Sequence, residues 1–295
     1  GLALGGAWDG LAPLLAMNAP QGQRGWYAMI PQIGAPVGLF VASALFIYLI
    51  TGLSEADFLE WGWRYPFFVA FAINVVALFA RLRIVVTPEY REQFEALDLR
   101  PTGVVETVSA DGLKILIGAF TPLATFALFH MVTVFPLSWV YLSTGDSIAG
   151  FLGIEIGTAL VCLAAVIASG PLADRFGRRR LLIASAVAIG VFALVAPLLL
   201  DGGQVGEFFY MVLGCALLGI SFGQSSGAVA SHLAPQYRYT GSALTSDLAW
   251  LFGAGFAPLV ALLLATNFGL ASSGAYLLSG AVCTVAALLL SGRLD

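Results

Sequence analysis

An all-helical protein that lives in a lipid bilayer and crosses it about nine times is the fold class this sequence predicts, on three observations. The first is composition: of 295 residues, 59% are hydrophobic and only 10% charged, with a mean hydropathy of +0.92. A soluble domain carries about 25% charged and about 45 to 50% apolar residues, so a soluble enzyme of ordinary composition is excluded. The second is length, because a helical span needs roughly 20 apolar residues and the chain has room for about nine with short connections. The third is charge placement. Every Lys and Arg except Arg64 falls in alternate connections or the tail: Arg24, then Arg81, Arg83, Arg91, Arg100 and Lys114, then Arg175, Arg178, Arg179 and Arg180, then Arg238, then Arg293. The intervening connections hold Glu55, Asp57, Glu60, Asp146, Asp201 and Glu207. The positive-inside rule puts the cationic side in the cytoplasm and predicts a multi-pass protein of the cell's inner membrane.

Taken in order, hydropathy and Gly/Pro punctuation place spans at 2–17, 26–50, 61–82, 113–142, 149–169, 181–200, 208–229, 241–265 and 271–291. No charged segment or cleavage site precedes the first span, which is therefore not a signal peptide; with Gly1 in place of Met, the chain is expected to be truncated at its N-terminus. After the third span comes the one long polar stretch, with Pro88, Pro101 and a run of acids. It divides the chain into three spans of an N-terminal bundle (1–82), a cytoplasmic linker (83–112) and a six-helix C-terminal bundle (113–295). Across the linker, Ala19-Pro20-Gln21 followed by Arg24 recurs as Ala234-Pro235-Gln236 followed by Arg238, six spans apart. This suggests a parallel six-helix repeat whose first copy has lost about three helices. Pro122 and Pro136 kink the fourth span, and Gly219, Gly223 and Gly227 let the seventh pack tightly.

Cys162, Cys215 and Cys283 lie singly in apolar runs with no paired spacing, so no disulfide, metal site or cofactor is expected. The net charge of -4 is dispersed in loops and forms no basic stripe for nucleic acid. Ionisable groups inside spans are the site candidates, since an Asp or Arg at a helix centre costs about 2.5 to 3.5 kcal/mol on insertion scales. Asp9 sits near the midplane of its span. Glu155 lies between Gly153 and Gly157, a GxxxG pair expected to admit a neighbouring helix, in a low-dielectric region where a carboxyl can take up and release a proton. Both are candidates for proton coupling, the alternative for Glu155 being an interfacial carboxylate reaching water. Asp247 is expected a few residues into its helix, either facing the cavity or stabilised by the helix dipole. His130 is a candidate proton or substrate ligand or a buried neutral imidazole, and Gln32, Asn74 and Gln224 are amides that orient a substrate or bond between helices.

One motif is more specific. Gly170-Pro171-Leu172-Ala173-Asp174-Arg175-Phe176-Gly177-Arg178-Arg179-Arg180, on a cytoplasmic connection, resembles the signature loop of the major facilitator superfamily. Gly1-Leu2-Ala3-Leu4-Gly5-Gly6-Ala7-Trp8, Arg24-Gly25-Trp26-Tyr27 with Pro31-Gln32-Ile33-Gly34-Ala35-Pro36, Trp61-Gly62-Trp63-Arg64-Tyr65-Pro66-Phe67, Arg81-Leu82-Arg83 before Thr87-Pro88, Arg238-Tyr239-Thr240-Gly241 and Phe252-Gly253-Ala254-Gly255-Phe256-Ala257-Pro258 resemble its metabolite:proton symporters. The resemblance implies helices 4 to 12 of a twelve-helix, monomeric carrier in the bilayer, moving a small organic acid or betaine-like solute with a proton by alternating access. Many members carry Glu after the Gly-Gly pair where this chain has Ala7, so Asp9, about 200° further round the helix, need not inherit that role. The resemblance also makes Gly170, Asp174, Arg175, Gly177, Arg178 and Arg179 gating residues, with Asp174 reaching the helix that starts near Trp26 and Arg24. An uncoupled facilitator or exporter of the same superfamily shares these motifs. A polytopic membrane enzyme using His130 or His232 with a Ser has no GxSxG, HExxH or phosphate loop behind it.

Overall fold

The structure is a computed structural model, and it describes residues 19–20, 22–85, 101–144, 147–225 and 233–291. The expected span at 2–17 with Asp9, the middle of the linker (86–100), Gly227 and His232 lie outside the described residues. Among the described residues every regular element is helical, and eight helices are long and apolar enough to cross a membrane.

Helix α1 (Arg24–Met29) passes through a 3-10 turn at Ile30–Ile33 into α2 (Gly34–Gly52). A short α3 (Glu55–Glu60) follows, its Ser54 side chain accepting from the Asp57 N–H as a helix cap should. Next comes α4 (Tyr65–Val85), whose apolar side chains, Phe67, Phe68, Phe71 and Phe79 among them, are exposed. In a soluble protein that surface would drive aggregation; in a bilayer, lipid tails are its solvent.

Helix α5 (Val104–Phe120) begins inside the stretch expected as linker and kinks at Asp111, where φ is -126° and ψ 19°. The expected span at 113–142 is broken: Thr121 and Pro122 separate α5 from α6 (Leu123–Thr133), and a second break at Val134 precedes α7 (Phe135–Trp139) and a π turn at Val140–Thr144. Proline supplies no N–H to the preceding turn, so both breaks fall beside one. Helices α8 (Ile148–Phe176) and α9 (Arg178–Leu200) are joined by Gly177 alone, at φ +87°. Only glycine adopts that conformation without strain, so most of the expected signature loop is helix rather than loop.

Helix α10 (Gly203–Phe222) packs along α8 through small residues. A Cβ at Gly219 would lie 2.5 Å from the Cys162 carbonyl oxygen, and one at Gly223 would collide with Ser169. Helix α11 (Arg238–Trp250) runs through a π turn at Leu251–Gly255 into α12 (Ala257–Phe268), and α13 (Ala271–Leu290) lies against α9. Leu128, Met131, Ile189, Met211, Cys215 and Leu277 form the centre of the core, none above 1% exposed. Against this body, α1 and α2 pack antiparallel along α8.

Candidate functional site

Between α2, α6, α8 and α10 lies a cavity of about 300 Å³. Its wall comes from Ala35, Pro36, Gly38, Leu39 and Ala42 of α2, Phe129, His130, Thr133 and Val134 at the end of α6, Cys162 of α8, and Leu218 and Phe222 of α10. The lining is mostly apolar, with small residues on α2 making the room. Thr133 spends its hydroxyl on its own helix, donating to the Phe129 carbonyl at 2.8 Å. His130 does not: its buried Nδ1 has no hydrogen-bond partner among the described residues. Aromatic rings back this wall, with Phe126 stacked on Trp250 at 4.5 Å and Phe129 at 5.4 Å from both Phe222 and Trp250. A pocket of this kind offers apolar contact and one imidazole to a small solute.

On the cytoplasmic side of the cavity, α1 closes on the end of α8. Asp174 accepts from the Gly25 N–H at 2.6 Å and from the Trp26 N–H at 3.1 Å, placing a carboxylate on the unpaired donors that start a helix. The approach needs two glycines: a Cβ on Gly25 would sit 2.6 Å from the Gly170 carbonyl oxygen, and a Cβ on Gly170 would sit 3.1 Å from the Trp26 Cα. Gln224, fully buried, donates to the Gly25 carbonyl at 3.0 Å and to Ser169 at 3.2 Å, and accepts from Arg178 Nε at 3.4 Å. Arg178 also donates to the Arg24 carbonyl at 3.3 Å. Arg179 turns the other way and donates twice to the Leu288 carbonyl, capping α13 where a cation opposes the negative helix end. Arg175 is exposed and lies over the Phe176 ring at 5.3 Å.

On the outer side of the cavity, α2 and α8 meet again. Ser43 Oγ donates to Glu155 Oε2 at 2.9 Å, with Ser43 3% and Glu155 2% exposed. The second carboxyl oxygen, Oε1, is buried with no hydrogen-bond partner among the described residues.

Several expected sites fall elsewhere. Glu155 is not interfacial but buried, and Gly153 and Gly157 meet nothing within 4 Å. Two residues turn a helix by about 200°, so the glycines face away from the surface that Glu155 presents to α2. Asp247 is not in a first turn: α11 starts at Arg238, leaving Asp247 half-buried nine residues further on and not among the residues lining the cavity. Asn74 sits on exposed α4 and donates to the Ala70 carbonyl of its own helix at 2.9 Å, away from the cavity. Gln224 holds the cytoplasmic closure rather than lining the cavity, and Gln32 is buried in the 3-10 turn before Ala35 without lining it. Sequence reasoning missed Ser43. A serine in an apolar run reads as a small packing residue, and its partner lies 112 positions away.

A cavity lined by spanning helices, with helix contacts towards both of its ends, fits the class of multi-pass membrane transporters. Its relatives are named accordingly. The chain is 35% identical to a metabolite transport protein of Haemophilus influenzae over 99% of its own length and 69% of the relative's. It is 35% identical to the inner membrane metabolite transport protein YhjE of Escherichia coli, over 99% of this chain and 68% of that one. The shikimate transporter of Escherichia coli is 27% identical over 98% of this chain and 67% of its own. No family model matches the chain. The chain belongs to the major facilitator superfamily, among its metabolite transporters, and is a multi-pass protein of the inner membrane.

Proposed function

We propose that the protein is a monomeric proton-coupled symporter that takes up a small organic acid or betaine-like solute, with an N-terminal bundle (1–82) and a C-terminal bundle (113–295) rocking about the linker at 83–112. The observation that carries the reading is Glu155. It is a carboxyl at 2% exposure inside a spanning helix, hydrogen-bonded to one hydroxyl, with no cationic side chain in contact among the described residues. A buried ion without a partner is costly, and a proton is the counter-charge that removes the cost. The substrate class is supported by the size and mostly apolar lining of the cavity, by His130, a lining side chain whose Nδ1 has no hydrogen-bond partner among the described residues, and by a relative named for shikimate, a carboxylate. The signature segment supports the gating half of the reading: Asp174, Gly25 and Gly170 make a contact that exists only while the cytoplasmic side is shut.

The test uses the natively encoded protein in proteoliposomes and a panel of radiolabelled carboxylates and betaines. Glu155→Gln abolishes uptake driven by a pH gradient while preserving exchange of substrate across the membrane. Asp9, the second candidate carrier, is changed to Asn alongside it. Uptake by the double variant that still follows the pH gradient overturns the reading.

A further inference from the structure

We infer that Ser43 and Glu155 are the outer gate of the cavity, with Ser43 the positioning residue that holds the Glu155 carboxyl against α2 while the outer side is shut. This rests on the carrier reading above and adds to it the claim that gate and proton site share one side chain.

The order of contacts along the two helices carries the argument. On α2 the cavity wall runs from Ala35 to Ala42, and Ser43 is the next residue outward. On α8 the wall is Cys162; Glu155 lies seven residues outward, about 10 Å, and Asp174 twelve residues inward, about 18 Å. The cavity therefore sits between two contacts of α8, one with α1 and one with α2, the two helices of a single span. Both are made at once, so the structure holds the cavity closed at its two ends along this seam. Alternating access requires each contact to break in turn.

The outer contact is built to break. It consists of one hydrogen bond, and no glycine interlock accompanies it, since Gly153 and Gly157 point elsewhere. Among the described residues no other charge holds Glu155 in place. From α2 the one titratable side chain is Tyr48, which is 73% exposed. From α10 the Cys215 thiol faces Glu155, while Tyr210 donates to the Met131 carbonyl and Glu207 lies eight residues, about 12 Å, nearer the outer end. From the α7 segment Tyr141 is exposed, and on α8 itself the nearest titratable group is the cavity's Cys162. Parting α2 from α8 at this height frees Ser43 Oγ and both Glu155 oxygens for entering water. The proton then reaches Glu155 from outside only when the gate it forms is open.

Cys162 is the natural reporter, because it lines the cavity at 3% exposure between the two contacts. In the natively encoded protein with all other cysteines replaced, right-side-out vesicles are treated with a membrane-impermeant maleimide. Ser43→Ala raises the rate of Cys162 labelling about two- to ten-fold, the equilibrium shift expected for one lost hydrogen bond. Ser43→Thr, which keeps the hydroxyl, returns labelling to near the parent rate. Glu155→Gln, which keeps an acceptor oxygen for Ser43, also labels near the parent rate, although it no longer follows the pH gradient. Unchanged labelling in Ser43→Ala overturns the gate and leaves the proton reading standing if Glu155→Gln has lost coupling. Raised labelling that Thr does not reverse overturns it too, since packing rather than the hydroxyl then holds the seam. Raised labelling reversed by Thr supports the gate even if Glu155→Gln stays coupled, an outcome that defeats the proton reading and, with it, the claim that gate and proton site share one side chain.

Discussion

The two ends of the seam between α8 and the α1–α2 span close the same cavity by different means. The cytoplasmic end is over-determined: a carboxylate on two backbone N–H groups, a buried amide bridging three partners, and a pair of glycines that let backbones approach within van der Waals distance. The outer end has one hydroxyl and one carboxyl. Each end carries one carboxyl, but Asp174 is exposed at the cytoplasmic surface and backed by backbone donors and glycine contacts, whereas Glu155 is buried with one hydroxyl partner, so on the carrier reading proposed above the outer end is the one tied to the transported proton. A symporter facing an acidic exterior needs that asymmetry. Its inner closure has to be firm whichever ions are present, and its outer closure has to register the proton before the cavity turns inward.

The comparison breaks most sharply at Gly25. Any side chain there meets the Gly170 carbonyl oxygen and the Ala173 Cβ, atoms of a packed helix that cannot step aside. Overpacking costs about 1 to 3 kcal/mol, equivalent to roughly five- to 150-fold in the closed-to-open ratio. Gly25→Val is therefore expected to raise cytoplasmic labelling of Cys162 in inside-out vesicles by that order and to suppress net uptake. Parent-like labelling from the inside would mean that the glycine contact does not hold the inner side shut. The same substitution leaves Ser43 and Glu155 untouched, so outer labelling should not rise with it.

Asp174→Asn tests the electrostatic part of the same closure. The amide keeps an acceptor for one N–H but removes the charge from the helix end, an interaction worth about 0.3 to 2 kcal/mol, or roughly two- to thirty-fold. Inner labelling should increase within that range at near-normal expression, and less than for Gly25→Val. An effect larger than that of the glycine variant would reverse the ranking and make charge, not backbone approach, the main element of the inner seam. Unchanged labelling from both sides with transport intact would reduce Asp174 to a solvated residue.

What the sequence discloses of these two ends differs for a physical reason. Spans and orientation are legible because a bilayer imposes length and charge rules on every segment independently. The reach of Asp174 to the helix near Trp26 is legible only through the resemblance of the signature segment; helix ends then explain it physically, because they present unpaired N–H groups and the partner needs no particular side chain. The outer contact is a pairing of two side chains 112 residues apart, and nothing local at Ser43 marks it. The opposed faces of Glu155 and its flanking glycines were within reach of helix arithmetic; a GxxxG pair simply does not describe the residue between its ends. Asp247 was misplaced because the start of α11 lies at Arg238, where a 3-10 turn at Pro235–Tyr237 rather than a hydropathy step begins the helix. The helical start of α5 within the polar stretch was hidden similarly, since its partners lie in the first turn of α11 and the residues just before it.

That last region supplies the smallest expected effect and a control on the comparison. Asp111, at the kink of α5, accepts from the Lys114 ammonium at 2.6 Å and from the Ala234 N–H at 3.2 Å, while Tyr237 donates to Glu106 at 3.0 Å and the Thr102 N–H donates to Thr240 at 2.9 Å. These bonds tie the start of α5 to α11 on the cytoplasmic side but away from the α1–α8 seam. Burial works against the Asp111 charge, yet the Lys114 and Ala234 bonds and the Lys114 charge outweigh it and hold the carboxyl below its ordinary 3.8. A carboxyl depressed on folding stabilises the fold above its ordinary value and loses that contribution as pH falls through the folded value. The tie should thus be fully present at neutral pH and weaken only below about pH 4. Because Lys114 is 53% exposed, its share is at most about 1 kcal/mol. Asp111→Asn should lower the thermal midpoint of the detergent-solubilised protein by a few degrees at pH 7 and leave the parent and variant closer together at pH 3.5. Cys162 labelling from either side should not change. A shift in labelling comparable to that of Asp174→Asn would show that α5 and α11 move with the inner closure, and the contrast between the two ends of the seam would then extend to the whole cytoplasmic face.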